Sequence, residues 1–138
     1  MKDRANIGKT NKRKGSNAER YYANYFKELH KDFSMCITSR QGSRIMDDCK
    51  VDLINLPILL QIKAGKQRGM NPSAILQEMD EMLIQKIPSS DLIHSFPRVI
   101  IHKKEIGRGK RRDKYSEIVS MTFEDFIELF LKAYTNDI

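Results

Sequence analysis

The apolar positions alternate between a helical and an extended period along most of the chain. Ala18, Tyr22, Tyr25, Phe26 and Leu29 recur at three- and four-residue spacing, which predicts a helix opening at Ser16 and ending near His30. "SMCITS" (34–39) reads as a strand and "RQGSRIMDD" as a polar loop. Two short apolar runs, 51–56 and 58–62, are divided by Pro57 and read as a strand, a turn and a strand. Asn71 and Pro72 have the cap and first-turn chemistry of a second helix. Its inner face is Ile75, Leu76, Met79, Met82, Leu83 and Lys86, and Pro88 closes it. "RVIIHKK" (98–104) is a buried strand and "YSEIVSM" (115–121) another, after which Thr122 caps a last helix with Phe123, Phe126, Ile127, Phe130 and Leu131 inside.

The predicted order is helix, three strands, helix, two strands, helix. Strands joined by short turns pair antiparallel, whereas the crossing from the third strand through the second helix suits a parallel, right-handed connection. The expected fold class is α/β, a mixed central sheet flanked by helices. Side chains alternate along a strand, so Ile58, Leu60 and Ile62 should face one helical layer and Leu59, Gln61 and Lys63 the other. Gln61 and Lys63 then sit side by side near a strand end, with Asp52 arriving from the neighbouring strand. Burying a lone charge is costly, so an acid, an amide and an ammonium in such apolar surroundings need partners.

Charge adds a second feature. The 138 residues carry 25 Lys and Arg against 18 Asp and Glu, a net +7, and the excess is clustered. One cluster, including Lys12, Arg13 and Lys14, makes residues 1–14 a basic flexible arm ahead of a single domain at 15–138. A second, in the loop before the last strand, includes Lys110, Arg111 and Arg112. Such clusters suit a phosphate backbone, because each neutralised phosphate releases counterions. Lys66 and Arg68 in "AGKQRGMN" join the same set. In "RQGSR", Ser43 and the amides beside Gly42 suit a phosphate, with Arg40 and Arg44 as charged contacts, although the segment also reads as a simple turn. Zinc is not indicated, because Cys36 and Cys49 lack ligand partners at short spacing. His30, His94 and His102 are scattered and read as ordinary surface or core residues. No apolar run of about 18 residues occurs and the first residues lack an apolar centre, so neither a membrane partner nor export is indicated. The expectation is a cytoplasmic protein, in the host cytoplasm if phage-encoded.

"KRKGSNAERYYANYFKEL", "SRQGSR" and "VDLINLPILLQIKAG", in this order, resemble the PD-(D/E)XK nuclease superfamily, and within it archaeal-type and phage Holliday-junction resolvases. That resemblance implies a restriction-endonuclease-like αβββαβ core and a metal-dependent DNA endonuclease that cuts branched DNA, the four-way junction above all. It implies Glu19, Asp52, Gln61 and Lys63 as catalytic residues, and Mg²⁺ as cofactor, with Mn²⁺ able to substitute. Asp52, Gln61, Glu19 and the Ile62 carbonyl would be the metal ligands, and Lys63 would serve the attacking water. Symmetric cutting of a junction implies a homodimer. Two positions depart from the family pattern: Val51 stands where the family name has proline, and Gln61 where it has an acid.

Each residue also has a structural reading. Glu19 ends "SNAE", the spacing of a helix capping box, and Asp52 with Lys63 could be an ion pair between neighbouring strands. Three other functions compete: another phage or restriction-type endonuclease, a nuclease-fold protein that binds DNA without cutting, which Gln61 favours, and a basic RNA-binding module. The last lacks an Arg-Gly-Phe type stacking motif on any strand.

Overall fold

The computed structural model describes residues 4–65, 70–106 and 108–136. Helix α1 (Arg4–Leu29) leads into β1 (Ile37–Thr38), the short helices α2 (Ser39–Gly42) and α3 (Arg44–Asp48), then β2 (Leu53–Ile54) and β3 (Leu59–Gly65). Helix α4 (Pro72–Lys86) crosses to β4 (Arg98–Lys104), and β5 (Glu117–Ser120) precedes α5 (Phe123–Asn136). The strands form one mixed sheet in the order β1-β2-β3-β4-β5, flanked by helices, so the fold class is α/β. Only β3 and β4 are parallel, from Leu59 opposite Arg98 to Gly65 opposite Lys104, and α4 supplies the crossover that such a pair requires. Among the described residues no helix is long and apolar enough to cross a membrane.

Alternation along β3 divides the core as its sequence predicts. Leu60 and Ile62, with Ile58 beside them, pack on Ala18, Tyr22 and Ala23 of α1 and on Val99 and Ile101 of β4. Leu59 packs on the opposite face, against Met46 of α3 and Met79 and Leu83 of α4. Cys36 and Cys49 are buried, unpaired thiols, one in each of these clusters. The Asn71 side chain accepts from the Ala74 N–H at 3.2 Å, capping α4 ahead of Pro72. Lys86, expected on the inner face of α4, is exposed. The hydroxyl of Thr122 accepts from the Asp125 N–H at 3.1 Å at the start of α5.

Four local expectations are corrected. Helix α1 begins at Arg4 rather than Ser16, so Glu19 lies in a helix interior and is not a capping-box residue. Residues 4–15 carry only Ala5 and Ile7 as apolar positions, too few for a stripe, which hides a helix from apolar periodicity, but Ala, Lys and Arg are good helix formers and no proline interrupts them. The loop "RQGSRIMDD" is two short helices, and a Cβ at Gly42 would lie 2.5 Å from Ile37 Cδ1 and 2.7 Å from Ile54 Cδ1, so any side chain there would displace those two methyl groups. Strands β1 and β5 are shorter than expected, because α2 starts at Ser39 and the 3₁₀ turn Lys114–Ser116 takes the first residues of "YSEIVSM".

The fourth correction is the largest. The apolar face of α5 is not inside: Phe123 is 77% exposed and Phe130 55%, and Phe126 and Leu131 are also exposed, with Ile127 half-buried. An amphipathic pattern states that a face seeks burial; it does not state that the cover lies in the same chain. Leu60→Ala should therefore cost about 2–5 kcal/mol in urea unfolding, as removal of a fully buried side chain does. In dilute protein Phe130→Ala should cost less than about 1 kcal/mol, and equal losses would mean that α5 is packed in solution.

Candidate functional site

The site grows from the place where β2 stops pairing with β3. Their register ends at Leu53 opposite Leu60, and the Asp52 N–H still bonds the Leu60 carbonyl at 2.7 Å. The next N–H on that edge of β3 belongs to Ile62, and the Asp52 carboxylate accepts it at 2.7 Å. The N–H and C=O of one strand residue project to the same edge, so the Ile62 carbonyl faces the Asp52 side as well. The Ser39 N–H, at the start of α2, bonds the Asp52 carbonyl at 2.8 Å and ties that helix to the same point.

Gln61, one residue earlier on β3, is 7% exposed, and its Oε1 has no hydrogen-bond partner among the described residues. A cavity of about 520 Å³ opens over it, lined also by Arg40, Asp47, Asp48, Lys50, Asp52 and, from α4, Met82 and Lys86. Glu19, 5% exposed, comes from α1 and is gripped by the Arg40 guanidinium, with Nε 3.0 Å and Nη2 3.2 Å from its oxygens. Lys63 is half-buried on β3, close enough to Asp52 for its charge to be felt there. Parallel register sets His102 of β4 beside it, 8% exposed, with Nε2 unpartnered among the described residues.

Burial raises the proton affinity of both acids. Asp52 is pushed from its ordinary 3.8 to about 7, by burial first; the Ile62 N–H opposes this, the charge of Glu19 adds to it, and Lys63 and Arg40 lower it. Glu19 is also raised by burial, with Arg40 opposing and Asp47 adding. Desolvation and the charge of Lys104 hold His102 below its ordinary value. Buried carboxylates that lack full compensation bind either a proton or a cation. Among the described residues no three His, Cys, Asp or Glu side chains are grouped so as to hold a metal by themselves, so a cation held here would need the Gln61 amide and the Ile62 carbonyl as further oxygen donors.

The phosphate-contact candidates are less tightly grouped. Arg13 on α1 and Arg44 on α3 are exposed, as are Lys110 and Arg111 in the loop after β4. The Arg112 guanidinium instead braces that loop through the carbonyls of Lys104 (3.2 Å) and Ser116 (3.3 Å). Ser43 is committed as well: its hydroxyl accepts the Met46 N–H at 3.2 Å and caps α3, a use its place in a presumed loop could not reveal. Lys66 and Arg68 lie outside the described residues, as do the side chains of Lys12 and Lys14.

Sequence reasoning missed Asp47 and Ser39. Asp47 sits in "MDDC", where an acidic pair just ahead of Asp52 was the available signal, and its carboxylate lies 3.4 Å from the Ser39 hydroxyl. His102 was read as ordinary because only strand pairing sets it next to Lys63. Comparison of the chain with protein-family models, curated proteins and solved structures gives no match.

The raised affinity of Asp52 has a measurable sign. The folded state binds this proton more tightly than the unfolded chain, so the associated stability is complete below about pH 4 and is lost as pH rises through about 7. In EDTA, Asp52→Asn, which keeps an acceptor for the Ile62 N–H, should melt above wild type at pH 8, with the gap narrowing toward pH 4. Equal melting temperatures at pH 8 would show that the buried carboxylate is already compensated.

Proposed function

We propose that the protein is a Mg²⁺-dependent DNA endonuclease of the PD-(D/E)XK kind, acting in the cytoplasm on branched DNA as a Holliday-junction resolvase. The observation that carries this reading is the buried Gln61 Oε1, unpartnered among the described residues, beside the Asp52 carboxylate, two oxygen donors converging on one cavity. Both fit an oxygen-seeking divalent cation, and Mg²⁺ keeps several waters, so few protein ligands suffice.

Asp52, the Gln61 amide oxygen and the Ile62 carbonyl would hold the ion, with Glu19 completing its shell directly or through water, and Mn²⁺ would substitute. When bound, the ion supplies an activated water and an electrophilic clamp on the phosphoryl oxygens. The Ile62 N–H fixes one oxygen of Asp52, so its carboxylate is oriented before any ligand arrives. Lys63 Nζ orients the attacking water, assists its deprotonation and offsets charge building on the phosphate. Arg40, Arg13, Arg44, Lys110 and Arg111 supply phosphate contacts, which position the duplex without reading its sequence.

Two cuts related by a two-fold axis need two copies of the site. We assign the contact between copies to α5, where Phe123, Phe126, Phe130 and Tyr134 each expose about half or more of their surface. At about 200 Å² per aromatic side chain, that leaves roughly 500 Å², and Leu129 and Leu131 add to it. The total approaches the ~800 Å² that a stable partner buries. Glu124, Asp125 and Glu128 against Lys132 make this helix acidic, unsuited to a DNA backbone. Sedimentation equilibrium should show a dimer for wild type and a monomer for the doubly substituted Phe126→Asp, Phe130→Asp protein. A monomeric wild type would remove this interface and, with it, symmetric junction cutting.

Incubation of a labelled four-way junction and a linear duplex, with Mg²⁺ or EDTA, tests the activity. Cleavage of the junction in Mg²⁺ alone is expected, with Lys63→Ala reducing it by at least about 10²-fold while junction binding persists. The neutral amide at Gln61 favours a second reading, a DNA-binding protein of this fold without cleavage. Junction binding by wild type with no cutting at any Mg²⁺ or Mn²⁺ concentration would decide for it.

A further inference from the structure

We propose that Asp47 is a further carboxylate of the cation site, replacing the charge that Gln61 lacks and holding the ion through one of its bound waters. This rests on the reading of the site as a Mg²⁺ centre and adds to it a residue that the family resemblance does not supply.

Asp47 lies near the end of α3 and lines the same cavity as Asp52 and Gln61. Its Oδ1 is 3.4 Å from the hydroxyl of Ser39, a fully buried residue whose N–H bonds the Asp52 carbonyl at 2.8 Å. One serine therefore touches both residues, the Asp47 carboxylate through its hydroxyl and the Asp52 main-chain carbonyl through its N–H. Its neighbour Asp48 also borders the cavity, but it is exposed, whereas Asp47 is half-buried. The charge of Asp47 is also felt at Glu19, whose proton affinity it adds to.

The independent sign of a ligand is Gln61. Its Oε1 is buried, lacks a partner among the described residues and lines this cavity, so an electropositive group there would satisfy it. An amide oxygen brings a lone pair but no charge. Arg40 offsets the charge of Glu19, which leaves Asp52, just ahead of β2, to bring most of the negative charge. Mg²⁺ is commonly held by one or two carboxylates with water filling the remaining positions. Asp47 adds to the charge supplied by Asp52, and reach through a water suits an acid that is not grouped tightly with the others.

The test is metal binding by DNA-free, full-length protein, read as free Mn²⁺ in electron paramagnetic resonance titrations and checked by calorimetry with Mg²⁺. Asp47→Asn should weaken Mn²⁺ binding by about 10-fold or more, the usual effect of losing a group that acts on the ion through one of its direct ligands. In a Gln61→Glu background the same substitution should cost clearly less, because the missing charge has been returned at residue 61. Asp48→Asn should have little effect, and an equal fall there would replace a specific role for Asp47 with a general field effect. Should Asp47→Asn fail to fold, Ser39→Ala carries the test: it removes the hydroxyl beside the carboxylate and should lower affinity in the same direction, by less. Wild-type binding that neither substitution changes would overturn the assignment of Asp47 alone. A wild type that binds no Mn²⁺ would overturn both this inference and the metal-dependent reading.

Discussion

The N–H of Ile62 needs an acceptor, and the rest of the site follows from the one it finds. Strand β2 pairs with β3 only as far as Leu53 and Leu60, so this buried amide meets no ladder carbonyl. An unmet buried amide costs about 1–3 kcal/mol, and the Asp52 carboxylate removes that penalty with a 2.7 Å bond. The same bond holds a charged group in the sheet's interior, where burial outweighs the hydrogen bond and carries its pKa to about 7. The fold and the chemistry thus share one pair of atoms, and the carboxylate is left in a state that a cation would relieve.

The parallel pairing of β3 with β4 gives the molecule two unlike ends. Parallel strands finish at the same end, so Gly65 and Lys104 emerge together, and Asn17 and Ala18 of α1 line a cavity there with Lys103 and Lys104. The exposed Lys110 and Arg111 follow in the loop braced by Arg112. At the other end α5 is docked by its Asp125 carboxylate, which accepts the Arg98 N–H at 3.1 Å, and Leu129 borders Pro57 and Pro97. Positive charge gathers where the strands end, and acidic and apolar surface where they begin. That polarity gives the proposed DNA contacts and the proposed subunit contact separate surfaces.

Polar pairs fasten the helices to this frame. Glu19 and Arg40 join α1 to α2, the Arg98 guanidinium meets Asp80 at 2.7 Å to join β4 to α4, and the Tyr22 hydroxyl bonds Glu117 to join α1 to β5. In the first of these Glu19 is the buried partner, so removing Arg40 would leave its carboxylate desolvated and unpaired. Arg40 has a further consequence: its guanidinium neutralises Glu19, so the charge available in the cavity depends on where that one side chain points.

By itself the sequence determined the properties that depend on neighbours a few residues apart. The period of two in β3 divides Leu60 and Ile62 from Leu59, Asn71 and Thr122 cap their helices through bonds spanning three residues, and Asp52 and Gln61 meet because a short turn joins their strands. What only the tertiary structure decided depends on partners distant in the chain or on cover that local pattern does not specify. Helix α1 extends back to Arg4 through residues with helix propensity but no apolar stripe, and Ser43 becomes a cap only once α3 exists. His102 reaches Lys63 only through strand register, and Asp47 reaches the cavity only because α3 packs Met46 against Leu59 and Met79. Helix α5 shows the limit most clearly: its amphipathic pattern encodes an apolar face, but hydrophobic burial is non-directional and does not specify which surface covers it.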